Sequence, residues 1–185
     1  MRIISGSKKG KKILLPDPKI TRPLKDNVKE NIFNILLHSD KLKINFKDIK
    51  VIDFFSGSGS FGLECISRGA LSIKFIENSP QIVNTLFRNL SNNFDKNKFE
   101  IVKKDFFSID KLSMIKSFNP NIIFLDPPYE IDKFEYILDF ISMLKSFNNL
   151  TIILHVHKKK EVHLKVFKYY VERVYGLSKI IFFKN

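Results

Sequence analysis

Asp126-Pro127-Pro128-Tyr129 is the most chemically specific stretch of the chain. Two successive prolines hold the backbone extended and remove two N–H donors, so the carbonyls of this segment stay free to accept. An ionised Asp126 is an acceptor-only group, and Tyr129 offers a ring face. A flat substrate bearing an amino group matches this set: Tyr129 stacks on the ring, while Asp126 and the Pro127 carbonyl take the two amino hydrogens. A plain Pro-Pro turn at a strand end is the competing reading. It loses weight because a second motif stands upstream. There Gly57, Gly59 and Gly62 fall at G-x-G-x-x-G spacing after an apolar run containing Asp53, and they are three of only seven glycines in the chain. Such glycines let the backbone pass close to a ligand, whose polar groups meet the free N–H groups of the helix that follows. Alone the motif is weak, since any crowded strand-to-helix turn favours glycine.

Two further acids extend the pattern. Glu77 lies 20 residues after Gly57, the spacing at which a carboxylate at the tip of a second strand accepts both ribose hydroxyls of an adenosine group. Asp105 follows a third apolar run, where it can reach an adenine amino group while Phe106 covers the ring. A simple turn acid is the alternative for Asp105.

The elements that must position these residues alternate. Residues 49–55, 72–77, 99–104 and 121–125 read as strands, and 61–68 as the helix after the glycine loop. Ser79 caps a helix that runs through about residue 90, with Pro80 at its first position. A helix over 134–145 and strands over 150–156, 165–175 and 179–183 follow, the last two forming a hairpin about Gly176. Every chemical signal then lies beyond the carboxyl ends of strands, where ligands collect in open α/β sheets. At the front, 2–5 and 11–15 read as a short hairpin that cannot stand alone. Thr21-Arg22-Pro23 is extended, and Asp26 caps a helix over 27–38 with Val28, Ile32, Ile35 and Leu36 on one face. The expectation is an α/β Rossmann-like domain over 46–185 with a basic N-terminal extension over 1–45.

The chain of 185 residues is long enough for one such domain with a substantial core. Its net charge is +13, carried by 27 lysines and only 5 arginines. Residues 1–50 hold 13 basic against 5 acidic side chains, 51–130 hold 9 against 9, and 131–185 hold 10 against 5. The basic excess therefore sits in the flanks, which favours a polyanionic partner met there, nucleic acid foremost. The candidate contacts are Arg2, Lys8, Lys9, Arg22, Lys158, Lys159 and Lys160; a solvated lysine surface is the alternative. Cys65 is the only cysteine, which excludes an internal disulfide and a cysteine metal cluster. His155, His157 and His163 stand beside three lysines that would repel a cation, so no metal site is expected. No signal-peptide pattern is present, and no apolar run approaches the ~18 residues of a membrane span, so a soluble protein is expected.

Asp-x-Phe-x-Gly-x-Gly followed by Asp-Pro-Pro-Tyr resembles the class I S-adenosylmethionine-dependent methyltransferases that modify exocyclic amines. A closer similarity covers nearly the whole chain. Met1-Arg-Ile-Ile-Ser-Gly6, Arg22-Pro23, Val28-Lys-Glu30, Phe33-Asn-Ile-Leu36, Gly62-Leu-Glu64, Ser67-Arg-Gly-Ala70, Asp126–Tyr129 and Tyr175-Gly176 resemble the RsmD family of 16S ribosomal RNA guanine-N2 methyltransferases. The family's Arg-Pro-Thr is Arg22-Pro23-Leu24 here, and Asn27 stands where an arginine is common. The resemblance implies a seven-stranded, mostly parallel sheet with an antiparallel last strand. It also implies a cytoplasmic monomer and the assembling small ribosomal subunit as substrate. Its motifs assign Asp53 with Ser56, Gly57, Ser58 and Gly59 to the methionine part of the cofactor, Glu77 to the ribose, and Asp105 with Phe106 to the adenine, with Asn78 a further cofactor-binding residue. Asp126, Pro127, Pro128 and Tyr129 take the guanine.

Three rival readings compete with this one. A DNA adenine or cytosine amino-methyltransferase shares Asp-Pro-Pro-Tyr, but about 56 residues after Tyr129 leave little for a DNA target-recognition domain. A nicotinamide-dependent oxidoreductase has no use for Asp53 or the Asp-Pro-Pro-Tyr segment. A ribosome-binding protein without catalysis is opposed by intact Asp126 and Glu77.

Overall fold

Apolar, β-branched runs bounded by turns form the centre of the sheet. In the computed structural model, which describes residues 1–17, 23–164 and 166–185, strands β1 (Lys50–Phe54) and β4 (Ile122–Leu125) are buried almost throughout. Strand β5 (Thr151–His157) lies beside β4 and is buried up to its last residue. Continuous burial is expected of parallel strands with helices on both faces. With β2 (Ser72–Ile76), β3 (Phe99–Val102), β6 (Tyr169–Tyr175) and β7 (Ser178–Lys184), the sheet has seven strands in the order β3-β2-β1-β4-β5-β7-β6. Strands β1 to β5 pair in parallel, whereas β7 runs antiparallel to both β5 and β6. From β1 the chain builds outward through β2 and β3, then returns to place β4 on the other side. That reversal leaves a crevice at the carboxyl ends of β1 and β4, the usual ligand position in such sheets.

Alternation along each strand divides the core into two layers. Val51, Ile122, Phe124 and Phe182 face one cluster, and Ile52, Phe54, Ile123, Leu125 and Phe183 face the other. Helices α1 (Asp26–His38), α2 (Ser60–Ser67) and α3 (Pro80–Ser91) cover the first layer. Helices α4 (Lys111–Phe118) and α5 (Phe134–Met143) cover the second. Among the described residues, no helix is long and apolar enough to cross a membrane.

The N-terminal segment is a shorter hairpin than expected, held by Ile3 N–H to the Lys11 carbonyl at 2.9 Å and Ile13 N–H to the Met1 carbonyl at 3.1 Å. A single antiparallel bridge, Arg2 to Lys12, replaces two strands. The buried Glu64 carboxylate of α2 instead accepts the Ile4 and Ser5 N–H groups at 2.7 and 2.9 Å. Ile3 and Ile13 enter the first core layer with Val28, Ile32 and Leu36. Asp26 does not cap α1: Lys25 occupies the cap position without a side-chain bond, and Asp26 begins the helix, 3.4 Å from the Lys29 ammonium. Ser79 stands at the cap of α3 but makes no side-chain cap bond, leaving Pro80 to set the start. Helix α4 adds to the elements expected from the sequence; Asp110 caps it through Ser113 N–H at 3.0 Å. Strand β6 begins at Tyr169, later than the expected 165, and residue 165 lies outside the described residues.

Candidate active site

At the end of β1 the chain turns sharply through Phe55, which takes a left-handed φ of +59°. A non-glycine residue there costs on the order of 1 kcal/mol or more, a strain that clusters at functional turns. The Ser56 hydroxyl steadies the turn by donating to the Asp53 and Ile76 carbonyls at 2.6 and 3.1 Å. Gly57 N–H donates to Glu77 Oε2, and Asn78 and Ser79 N–H donate to Glu77 Oε1, each at 3.0 Å. Glu77 thus ties the glycine loop to the end of β2. With roughly four lone-pair positions on a carboxylate, three are already engaged. Asn78 Nδ2 donates to Asp105 at 2.8 Å, so the tips of β2 and β3 are joined as well.

The three loop glycines do different things. Gly57 and Gly59 have φ of +54° and +77°, and Gly59 leads directly into α2. Gly62 sits inside α2, where a Cβ would lie 2.2 Å from the Phe75 ring. Its smallness lets the helix press on the sheet; the expected close approach to a ligand does not apply to it.

Asp53 is 1% exposed and accepts Gly62 N–H at 3.2 Å. Burial pushes its carboxyl well above the ordinary aspartate range, the charges of Asp126 and Glu77 push the same way, and the Gly62 bond opposes them. One cavity is lined by Asp53, Ser56, Gly57, Ser58 and Asp126 together with Pro16, Pro23 and Leu24 of the N-terminal segment. The glycine loop and Asp126, the first residue of the Asp-Pro-Pro-Tyr segment, therefore border the same space, while Tyr129 lines a separate groove. Ser60 Oγ also borders this cavity and is buried without a hydrogen-bond partner among the described residues.

Beyond β4, Asp126 is one-fifth exposed, and its Oδ1 lies 2.8 Å from His155 Nδ1. Pro128 carbonyl accepts Ile131 N–H at 3.2 Å. Tyr129 is half-buried, with its hydroxyl 3.3 Å from both His155 Nε2 and Ser178 Oγ. Its ring meets His157 edge-on at 5.1 Å. Tyr129, Glu130, His157, Lys159, Lys160 and Leu177 line a second groove, of about 410 Å³, next to this tyrosine.

Phe106 is only 3% exposed and packs against Phe54, Phe55, Phe107 and Phe140. It borders a wide apolar groove shared with α4 and α5. Of the basic candidates, Lys158 and Lys159 are exposed; Lys159 and Lys160 line the groove next to Tyr129, with the Lys160 ammonium over the Phe134 ring at 4.6 Å. Lys8 and Lys9 occupy the turn docked on Ser67, at the far end of α2, about 12 Å of helix from the glycine loop. Arg2 is exposed, and Arg22 lies outside the described residues. Sequence reasoning missed Ser60, His155 and Asn89, which holds both the Ser58 carbonyl and the Leu14 backbone. A polar residue within an apolar strand or helix face was the available signal for His155 and Asn89.

Comparison with known proteins agrees with this geometry. The family described as conserved hypothetical protein 95 matches residues 1–184. Ribosomal RNA small subunit methyltransferase D of Escherichia coli strain K12 is 32% identical over 130 residues, 70% of this chain and 60% of its own length. The protein of the same name from Haemophilus influenzae is 31% identical over 135 residues, 71% of this chain and 65% of its own. The matched stretch thus spans less than two-thirds of these relatives' lengths. An rRNA methyltransferase structure from Streptomyces viridochromogenes shares the fold with a TM-score of 0.69 at 13% identity, over 92% of this chain and 88% of that one. With the β1–β4 crevice, the antiparallel β7 and the loop and Asp-Pro-Pro-Tyr motifs in place, the chain has the class I methyltransferase fold and belongs to the conserved hypothetical protein 95 family, the RsmD family its sequence resembles.

Proposed function

We propose that the protein methylates the exocyclic N2 amine of a guanine in 16S ribosomal RNA, with S-adenosylmethionine as donor and the assembling small subunit as substrate. The observation that carries this reading is the single cavity lined by both the glycine loop and Asp126. Its electrostatics suit the cofactor. Burial, followed by the charges of Asp126 and Glu77, holds the Asp53 carboxyl above the ordinary aspartate range, a setting that favours a sulfonium cation nearby and disfavours a dinucleotide pyrophosphate. Ser60 Oγ, buried and unpaired among the described residues, adds a polar group that a ligand can satisfy. Asp53 and Ser56–Gly59 would hold the methionine portion, Glu77 and Asn78 the ribose, and Asp105 with the Phe106 edge the adenine. When bound, the cofactor supplies an electrophilic methyl group.

The guanine amino lone pair is delocalised into its ring and is a poor nucleophile. Asp126 and the Pro127 carbonyl, accepting its two hydrogens, favour a pyramidal nitrogen with the lone pair turned toward the donor side of the cavity. The His155 contact occupies Asp126 Oδ1 and leaves Oδ2 for this bond. After transfer the surplus amine proton passes to the Asp126 carboxylate. Positioning and fixed charge supply most of the acceleration in such a site. Entry of the base requires its extrusion from the stack, a cost of a few kcal/mol. Stacking on Tyr129 returns about 1–3 kcal/mol.

Lys158–Lys160 beside the tyrosine groove would track the RNA backbone near the extruded base. Arg2, Lys8, Lys9 and Arg22 would extend the contact along residues 1–45, the proposed RNA-contacting extension of the 46–185 cofactor domain. The acting unit in this reading is a cytoplasmic monomer. The test is incubation with methyl-labelled cofactor and unmodified small subunits, naked 16S RNA or DNA, followed by mass spectrometric mapping. One N2-methylguanine in 16S RNA is expected. Label in DNA adenine or cytosine, or none anywhere, would overturn the reading.

A further inference from the structure

Strand β5 places a histidine where the proposed chemistry needs a fixed carboxylate. Leu125 and Leu154 are in register, so the residues that follow them, Asp126 and His155, lie side by side as β4 ends. His155 is 4% exposed, with Nδ1 2.8 Å from Asp126 Oδ1 and Nε2 3.3 Å from the Tyr129 hydroxyl. That hydroxyl is also 3.3 Å from Ser178 Oγ on β7, and His157 on β5 pairs with Ser178 in register. A carboxylate only accepts, so His155 Nδ1 carries the proton of the shared bond. In the neutral ring, Nε2 is then an acceptor for the tyrosine hydroxyl.

We propose that His155 is a positioning residue for methyl transfer: one buried imidazole locks the Asp126 carboxylate and the Tyr129 ring into a single frame, so that the amine acceptor and the stacking surface meet the base together. This rests on the methyl-transfer reading above. Asp126 and Tyr129 are three residues apart on a segment leaving the sheet; the prolines between them stiffen its backbone, and His155 is one side chain that meets both functional groups. The imidazole is anchored in β5, inside the core, and transfers the rigidity of the sheet to both groups. By occupying Oδ1 it also decides which carboxylate oxygen faces the cavity. A displacement near 1 Å in such a site costs on the order of 10²-fold in rate.

Two substitutions separate positioning from simple packing. His155→Leu fills the space and removes both bonds; His155→Asn keeps an N–H donor near the place of Nδ1. With 16S RNA as substrate, His155→Leu should lower kcat about 10²-fold, with KM for RNA and Kd for cofactor within about threefold and an unchanged thermal midpoint. His155→Asn should recover at least a tenth of wild-type kcat. The chain has four histidines, so their ring nitrogens are resolvable by ¹⁵N NMR on the protein alone. His155 should carry its proton on Nδ1, and Asp126→Ala should move it to Nε2. Wild-type kcat in His155→Leu, equal losses in Leu and Asn variants, or an unprotonated Nδ1 in the wild-type protein would each overturn the inference. Wild-type protein inactive on every nucleic acid would defeat the transfer reading and this role together. An active wild type with an indifferent His155→Leu defeats this role alone.

Discussion

At the scale of single residues, two carboxylates facing one cavity have opposite tasks. Asp126 is partly exposed and held by one imidazole, which leaves an oxygen for a substrate amine. Removing it takes away the acceptor without touching the glycine loop. Asp126→Ala should therefore abolish methyl transfer while cofactor affinity, read by calorimetry, stays within a few-fold; full methylation by this variant would refute the assigned role. Asp53 is enclosed, and burial followed by the Asp126 and Glu77 charges raises its proton affinity above that of a free aspartate. The folded state then binds this proton more tightly than the unfolded chain does. Its stabilising contribution is complete below the unfolded value of about 3.9 and is lost as pH rises through the raised folded value. Asp53→Asn should flatten that decline, so urea midpoints of variant and wild type should shift in the variant's favour as pH increases. Parallel curves would show that the burial has no proton linkage.

At the scale of elements, the glycine loop is as much a packing device as a ligand cradle. A Cβ on Gly62 would meet both the Phe75 ring and, at 3.3 Å, Asp53 Oδ2. Gly62→Ala gains some helix propensity but overpacks the α2–sheet contact, a penalty of about 1–3 kcal/mol. A net loss of stability in urea unfolding is expected, with cofactor affinity reduced because α2 carries Ser60 and borders the loop; an unchanged midpoint would show that Phe75 yields freely. The same helix secures the N-terminal segment. Glu64 accepts two of its backbone N–H groups and the Arg68 guanidinium, and a Cβ on Gly6 would collide with the Ser67 carbonyl at 1.9 Å. Residues 1–17 therefore fold against the sheet's helices and close one wall of the cavity through Pro16.

For the whole molecule, charge is distributed about a neutral cofactor core, and the structure separates the basic candidates by distance from the site. Lys159 and Lys160 line the tyrosine groove, whereas Lys8 and Lys9 sit at the far end of α2 from the glycine loop. If RNA crosses the groove, charge reversal at Lys158, Lys159 and Lys160 should raise the apparent KM for RNA. It should also reduce the slope of log affinity against log salt by about 0.7 for each phosphate no longer neutralised. Reversal at Lys8 and Lys9 should alter the slope without changing which guanine is modified. Identical slopes for wild type and the Lys158–Lys160 variant would make those lysines merely solvated.

Local pattern determined a great deal here. Apolar runs of strand length, the glycine spacing and the proline pair predict β1 to β5, the loop and the Asp-Pro-Pro-Tyr turn, because each depends on residues a few positions apart. Glu77 was legible for the same reason: its distance from Gly57 is set by one helix and one strand. What pairs across the chain was not legible. Glu64 meets Ile4 about 60 residues away, Asn89 meets Leu14 about 75 away and His155 meets Asp126 about 29 away. Each looks, in sequence, like a stray polar group in an apolar element. Only the assembled sheet decided their partners, since a buried polar side chain must be satisfied, and what satisfies it depends on which distant strand or segment is packed beside it.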